Sequence, residues 1–535
     1  MRKINLLVAT IVLSSYCLVA QVVVTAGFDK PTGNVISDYI FGVNVFQGFD
    51  PDQAGTPGNN TYKNAMDDMN PGIIRYHNWD MIGNGKNSWI DINKDWDSVK
   101  ISNTLKGSYL MNPVKMINIP SWPDGKFGVN TDDTLPKNRY QDFANWCADL
   151  VKICNIFNNA GIKYWEVFNE RDNAYNNKHD ELAVIFNLCA LAMKAIDPTI
   201  KVGGPAFAQA WSGGNLDAFC KGTAGTIDFI SYHSYATGDK TETNQNIYNS
   251  AGIGWVTSSV RNSWKKYSNR QIEFFHDEYN ISYNPPDAKQ TNYVSQIFDA
   301  ISLISMINSG TSGAMAWNEC DGWYGKMDNS YNKRPSFYLF QNFNAHLKGN
   351  IVCRSQVSAV KKVVTLASKN DLYYFLSVVN RADADINIIL TFEGLPESVT
   401  DFTLVDNFEN QQSGGISYKT FSLGDLTVSG YISKSGTVAL FRIPIDGSTG
   451  LEQNIPSQQR ALILYPNPAT EKLIIQIPYK SIEKEIWIRD MTARVVGNFI
   501  LEESGSLDLS SYSKGVYILE YIQGGKQREQ KFIKY

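Results

Sequence analysis

The chain has 535 residues, too many for one small domain; at roughly 150 residues per unit, length alone points to three or four units. Hydrophobic residues make up 43 % of it, which excludes a disordered chain, and a net charge of −4 without a long basic run excludes a dedicated nucleic-acid binder. Aromatics reach 12 %, with 12 Trp and 28 Tyr, enough to fill a large core and still leave rings for stacking on sugars.

Residues 1–20 read as a signal peptide. Arg2 and Lys3 give the positive start, residues 6–13 the apolar centre, and Leu18-Val19-Ala20 the small-residue cleavage site. No later segment approaches eighteen uninterrupted apolar residues, so no transmembrane segment is expected. Export permits disulfides, but Cys147 and Cys154 lie seven apart in a predicted helix, ~10.5 Å along its axis. That is beyond the ~7 Å reach of a disulfide.

From about Tyr39 to His346, short apolar runs alternate with amphipathic helices. The strands are expected at 39–46, 72–78, 113–120, 163–170, 201–207, 228–235, 272–280 and 313–319. Helices are expected between them, among others at 141–161, 181–196 and 293–307. Eight strands separated by helices or long loops match a (β/α)8 barrel, assigned to 21–346. Polar and aromatic residues recur at nearly every strand end, which favours the barrel over an open doubly wound sheet. After Leu347 the pattern becomes short strands broken by Gly, Asn and Asp turns, as expected of a β-sandwich over 347–446, which residues 21–28 join as an added strand. Residues 447–460 are polar, rich in Gly, Ser and Pro, and read as a linker. Residues 461–535 read as a small all-β domain whose basic last strand is a solvated edge.

Two carboxylates carry the chemistry. Glu170 ends the run KYWEVFNE and Glu278 ends IEFFHDE, each at the polar tip of an apolar strand. In a parallel barrel those tips line the active-site face. Two glutamates so placed can cleave a glycosidic bond with retention, one as acid/base and one as nucleophile. A general acid needs its pKa raised by burial or by a neighbouring carboxylate. Asn169 can hydrogen-bond the sugar 2-hydroxyl. Asp277 competes with Glu278, but strand alternation places the two on opposite faces, and Glu278 is taken as the inward one. Arg75, near the tip of the second strand, can hold a carboxylate ionised. His233 and Tyr235 share a face of the sixth strand, and the tyrosine hydroxyl can bind the nucleophile. Trp317 ends the eighth strand and can floor the sugar site. Trp122 and Trp323, in Gly/Pro loops, are expected to line the cleft ahead of Trp79 and Trp211, and His77 and Asn118 to touch sugar hydroxyls. Asn318 and Glu319 can do the same or cap a helix. With no H-E-x-x-H or comparable spacing, neither a catalytic metal nor a cofactor is expected.

Taken as a set, Arg75, Asn169-Glu170, His233-x-Tyr235, Glu278 and Trp317 resemble the pattern of the clan A retaining glycoside hydrolases. VGGPAF (202–207), IDFISYHSY and the attached sandwich are most similar to family 39, the β-xylosidase-like group. The resemblance implies Glu170 as acid/base, Glu278 as nucleophile, and a β-linked poly- or oligosaccharide substrate of xylosidase, xylanase or agarase type. Arg171 departs from the proline common after Asn-Glu, and HDEYN is an unusual surround for a nucleophile. The C-terminal block, with Leu464-Tyr465-Pro466-Asn467-Pro468 and Gly515-Val516-Tyr517, resembles the type IX secretion sorting domain. That implies contact with the type IX machinery, passage through the periplasm, and a secreted or surface-attached product. The competing reading is a catalytically inactive carbohydrate-binding or adhesion protein on a barrel scaffold.

Overall fold

The computed structural model describes residues 21–535 apart from 47–56, 84, 86, 108–112, 211–212, 240, 285–287, 397–398, 400, 409–418, 423–426, 446–462, 466–468, 477–481, 493, 501–504 and 524–525. The expected signal peptide and linker, and Trp211, therefore lie outside the described residues.

The first strand, β1 (Val22–Val35), precedes eight parallel strands that close into a barrel: β2 (Tyr39–Val45), β3 (Ile73–Tyr76), β4 (Val114–Ile119), β5 (Tyr164–Val167), β6 (Lys201–Phe207), β7 (Phe229–Thr237), β8 (Glu273–Ser282) and β9 (Gly313–Ala316). β9 pairs back onto β2, with Gly42 opposite Met315. All eight coincide with the expected runs. The helix predicted over 141–161 is α-helical over Tyr140–Val151 and widens to a π-helix over Lys152–Phe157. The Asn155 amide bonds both the N–H and the C=O of Ile162 at 2.9 Å, which fixes the turn leading to β5. The six described cysteines are all free and buried.

Inward side chains recur every second residue, so each strand stacks one residue per layer. On β7 the inward series is Phe229, Ser231, His233, Tyr235; on β5 it begins Tyr164, Glu166; on β3 it is Ile73, Arg75. The lowest layer is an apolar plug of Ile73, Met116, Tyr164, Phe229, Phe275 and Met315. The rings of Tyr164, Phe229 and Phe275 meet edge to face at 5.3–5.6 Å. Room for them comes from Gly203 and Gly313, where an added Cβ would lie 2.4 Å from a ring carbon of Phe229 or Phe275. Each ring so buried contributes on the order of 1.5–3 kcal/mol. The plug seals the lower mouth and leaves the polar layers above it to open at the strand C-termini.

The second region contains β10 (Ile351–Val357), β11 (Val363–Lys369), β12 (Tyr373–Asn380), β13 (Ile386–Glu393), β14 (Asp401–Phe408), β15 (Lys419–Ser422), β16 (Thr427–Ser433) and β17 (Thr437–Pro444). With β1 they form one sheet in the order β15-β14-β17-β12-β11-β10-β1-β13-β16. Tyr431 of β16 meets Phe441 of β17, six strands away in that order, at 5.2 Å. A flat sheet would hold them about 29 Å apart, so the sheet folds over on itself as a sandwich. The barrel thus starts at Tyr39 rather than at residue 21. Val22, Val24, Ala26 and Phe28 of β1 are buried in the sandwich core, pairing β1 with β10 and β13.

The C-terminal unit, Leu451–Tyr535, is separate and compact. Its strands are β18 (Ile463–Tyr465), β19 (Lys472–Gln476), β20 (Ile482–Asp490), β21 (Val495–Ile500), β22 (Gly505–Asp508), β23 (Gly515–Gln523) and β24 (Lys526–Lys534). They make two antiparallel sheets around Leu473, Ile486, Leu519 and Phe532, with the basic β24 on an edge. Among the described residues, no helix is long and apolar enough to cross a membrane.

Candidate active site

The upper barrel layer brings Glu170, His233 and Glu278 together: one ligand atom from each lies within 4.8 Å of the others. His233 Nδ1 is 2.8 Å from Glu170 Oε1, and its Nε2 is 3.6 Å from Glu278 Oε2. Tyr235 donates a short hydrogen bond to Glu278 Oε1. The Glu170 side chain is 40 % exposed and that of Glu278 11 %, so both reach the open mouth. Burial opposes charge on His233, but Glu278, Asp277 and Glu170 outweigh it and hold the imidazole up to about 10. His233 is therefore a cation at neutral pH. Burial pushes the Glu170 carboxyl up, yet the His233 hydrogen bond and charge draw it below its ordinary value. The expectation of a raised acid at Glu170 is thus corrected for the substrate-free site: the proton sits on His233.

The strand tip carrying Glu170 is not regular β structure. Phe168 and Glu170 have φ of 79° and 55°, in the left-handed region that costs an L residue of order 1–3 kcal/mol. The conformation is pinned by Phe168 N–H to Ile119 O, Asn169 N–H to Pro120 O and Glu170 N–H to Ala206 O, at 2.9–3.0 Å. Asn118 Nδ2 donates to Phe168 O at 2.7 Å.

Glu278 faces inward for a reason that alternation does not provide. The β7–β8 register steps from Tyr232↔His276 to His233↔Glu278, and the β8–β9 register shifts between His276 and Tyr279. This is a β-bulge at Asp277. It turns Asp277 and Glu278 both toward the interior, so the expectation of opposite faces is overturned. Asp277 occupies the layer below, fully buried, 3.3 Å from Arg75 Nε.

Arg75 is the hub of that lower layer. Its guanidinium donates to Glu166 Oε2 at 2.7 Å, to Asn44 Oδ1 at 2.8 Å and to Asn169 Oδ1 at 2.8 Å, and Nη1 is 3.6 Å from Glu278 Oε2. It is fully buried, which corrects its expected place among substrate-binding residues: it acts through Asn169 and Glu278. Asn169 Oδ1 is occupied by Arg75, which aims its Nδ2 hydrogens elsewhere. Asn118 is likewise framework rather than a sugar contact, spent on Glu166 at 2.8 Å, Phe168 O and His77. Both Asn118 Nδ2 bonds are donated, so its Oδ1 accepts from His77 Nδ1–H, leaving His77 Nε2 as an acceptor. Burial first, then Arg75, lowers His77 to about 3, so it is neutral.

The aromatic expectations divide. Trp317 is half-buried, its ring 5.7 Å from His77 and 5.1 Å from Phe46. Trp323 is 54 % exposed on a loop whose amides converge on Asp321 Oδ1, with Trp323 N–H at 2.7 Å. Trp122 does not line the cleft. It is 4 % exposed, packed edge-on against Phe143 and Phe168, and covered by Arg171, whose guanidinium lies 4.5 Å from the ring. Trp79, ranked lower from sequence, is 47 % exposed beside His77. Glu319 is buried and accepts from Phe46 N–H at 2.7 Å, a structural bond.

A model for glycosyl hydrolases family 39 matches residues 130–372, and one for a secretion system C-terminal sorting domain matches 463–535. The chain carries a family 39 glycosyl hydrolase domain. The family 39 match contains Glu170, His233, Tyr235, Glu278 and Trp317, and begins after Arg75, His77, Asn118 and Trp122. A β-xylosidase from Caldicellulosiruptor saccharolyticus is 24 % identical over 229 residues, covering 38 % of this chain and 46 % of its own. The chain thus spans about half the length of that curated relative. Three solved structures share the fold, each over 79 % of this chain. They are a monomeric β-xylosidase from Caulobacter crescentus (16 % identity, 99 % of its chain, TM-score 0.57), an α-L-arabinofuranosidase from Thermotoga maritima (17 %, 100 %, 0.57) and a family 39 enzyme from Xanthomonas axonopodis (15 %, 97 %, 0.56).

Sequence reading missed two residues of the buried layer around Arg75, Asn44 and Glu166. Asn44 bonds Arg75 and, through Nδ2, the Asp277 carbonyl at 2.9 Å. Glu166 is a charged residue at an inward position of an otherwise apolar strand, two before Phe168. That isolated charge was the available signal.

Proposed function

We propose that the chain is an exported, retaining glycoside hydrolase acting on β-linked xylo-oligosaccharides or a related β-glycan. The observation that carries this reading is the Glu170–Glu278 pair, with carboxylate oxygens within 4.8 Å. That separation suits direct attack by one carboxylate, for which ~5–5.5 Å is usual; inversion needs ~6.5–9.5 Å to admit a water. Glu278, held by Tyr235 and facing Arg75, attacks the anomeric carbon. The Glu170–His233 pair supplies one proton to the leaving oxygen, passing from His233 Nδ1 to Glu170 as the aglycone fills the cleft and shields Glu170 from water. Glu170 is then the base that activates water to release the sugar. Trp317 forms the floor under the sugar ring and Asn169 holds its 2-hydroxyl. The named activity of the β-xylosidase relative supports xylosides as first substrates. The sorting domain supports export to the surface or medium by the type IX route.

The test is hydrolysis of a panel of 4-nitrophenyl β-xyloside, α-arabinofuranoside, β-glucoside and β-galactoside, with reducing-sugar release from xylan, agar, mannan and β-glucan. Turnover of a β-linked member that disappears in Glu278→Ala supports the proposal. No turnover across the panel by folded protein favours the adhesion reading instead.

A further inference from the structure

Below the two glutamates that face the cleft lie two carboxyl groups that the proposed chemistry does not use. β5 places Glu166 in the layer beneath Glu170, and the bulge in β8 places Asp277 beneath Glu278. Both are 0 % exposed. One guanidinium, Arg75, faces both, and its nearer contacts go to Glu166, 2.7 Å against 3.3 Å for Asp277. Glu166 Oε2 accepts from Arg75 and from Asn118 Nδ2. Glu166 Oε1 and both Asp277 carboxyl oxygens are buried without a donor. The two carboxyl groups meet at the same atom, Arg75 Nε, which is 2.7 Å from Glu166 Oε2 and 3.3 Å from Asp277 Oδ2. Two facing acceptors with no donor between them, enclosed with a single counter-charge, cannot both stay ionised.

We propose that Glu166 and Asp277 hold one proton between them, resident on Asp277, and that this buried acid pair positions Arg75 and leaves the His233 cation to Glu170 and Glu278. The proposal rests on the retaining reading of those two residues. The groups facing the pair are Arg75 from β3, Asn118 from β4, His233 and Ser231 from β7, and Glu278 from its own strand. Asn44 from β2 reaches only the Asp277 backbone. His233 Nε2 is 3.8 Å from Asp277 Oδ1 and 3.6 Å from Glu278 Oε2, so it stands between the two acids. With Asp277 neutral, Arg75 offsets Glu166. An ionised Asp277 would draw His233 downward and add a second anion beneath Glu278. Burial and then the Glu166 charge push Asp277 well above the ordinary carboxyl range. Glu166 is opposed by burial but held below the ordinary carboxyl range by Arg75 and by hydrogen bonds from Asp277 and Ser231.

Infrared spectroscopy of the full chain at pH 7 tests the proton directly and needs no substrate. The carbonyl stretch of a protonated carboxylic acid is expected, shifted by 4-13C-aspartate labelling and lost in Asp277→Asn. Absence of the labelled band overturns the proposal without any variant having to fold. In turnover, Asp277→Ala is expected to lower kcat on the order of 10²-fold with KM little changed. Asp277→Asn, which keeps a neutral donor toward Glu166, is expected to recover it. Equal damage from Asn and Ala overturns the proposal. If the band is absent while Glu278-dependent turnover persists, the shared proton falls and the retaining reading stands.

Discussion

His233 Nδ1 and Glu170 Oε1 lie 2.8 Å apart at the mouth of the barrel, and the pair holds a single proton near neutral pH. Burial alone would have made Glu170 the acid. The Glu278 and Glu170 carboxylates on either side of His233 hold the proton on the imidazole instead.

The pH profile should show that sharing. The alkaline limb of kcat/KM reports loss of the proton from the pair, and His233 is held up to about 10. In His233→Asn the cation that lowers Glu170 is gone, so Glu170 rises but becomes the sole acid. The alkaline limb is then expected to fall from near 10 toward the carboxylic-acid range. An unmoved limb would mean that His233 holds no part of the proton. For stability the sign is that of a raised pKa. The charged His233 stabilises the fold fully below the unfolded value of about 6.5 and loses that contribution as pH rises through about 10, so Tm should decline across that window.

Glu170→Ala should separate leaving groups. General acid catalysis contributes ~10²–10⁴-fold, so a poor leaving group should lose that much, while a 2,4-dinitrophenyl glycoside, which needs no proton, loses far less in bond cleavage. Added azide should restore turnover and give the β-glycosyl azide. In Glu278→Ala, azide should instead give the α-anomer. Exchanged anomers would reverse the two roles.

Arg75→Met should damage the fold as well as the chemistry. Removing the guanidinium leaves Glu166 buried and uncompensated, a loss of about 3–5 kcal/mol in a denaturant titration. A change below about 1 kcal/mol would mean that water enters the layer and satisfies Glu166.

Two tryptophans should behave oppositely. Trp122→Ala, at 4 % exposure, should cost about 3–5 kcal/mol of stability. Trp79→Ala, at 47 % exposure, should leave stability within about 0.5 kcal/mol and raise KM for oligosaccharides more than for aryl monoglycosides.

The barrel was legible because its eight strands are apolar runs with polar tips, and Glu170, His233, Tyr235 and Trp317 follow from residue spacing along such runs. The inward turn of Glu278 was not. A bulge adds one residue to a strand without changing its composition, so the alternation that rightly ordered β7 gave the wrong face for one member of the Asp277–Glu278 pair. Loop aromatics failed for a different reason. Trp122 is closed off by Arg171, 49 positions away in the sequence and unreadable as a neighbour from the run around either residue. Glu166 was readable as an inward charge, but its meaning depends on Arg75 and Asp277 arriving from two other strands.

The most direct measurement is covalent trapping. The full-length protein, incubated with the 2-deoxy-2-fluoro-β-glycosyl derivative of its fastest-cleaved sugar and a good leaving group, is digested and mapped by mass spectrometry. One fluoroglycosyl group per chain on the peptide bearing Glu278, attached at Glu278, is the expected result. Attachment at Asp277 or elsewhere, or turnover with no adduct and an inverted first-formed anomer, would contradict the assignment of Glu278 and Glu170 as nucleophile and acid/base.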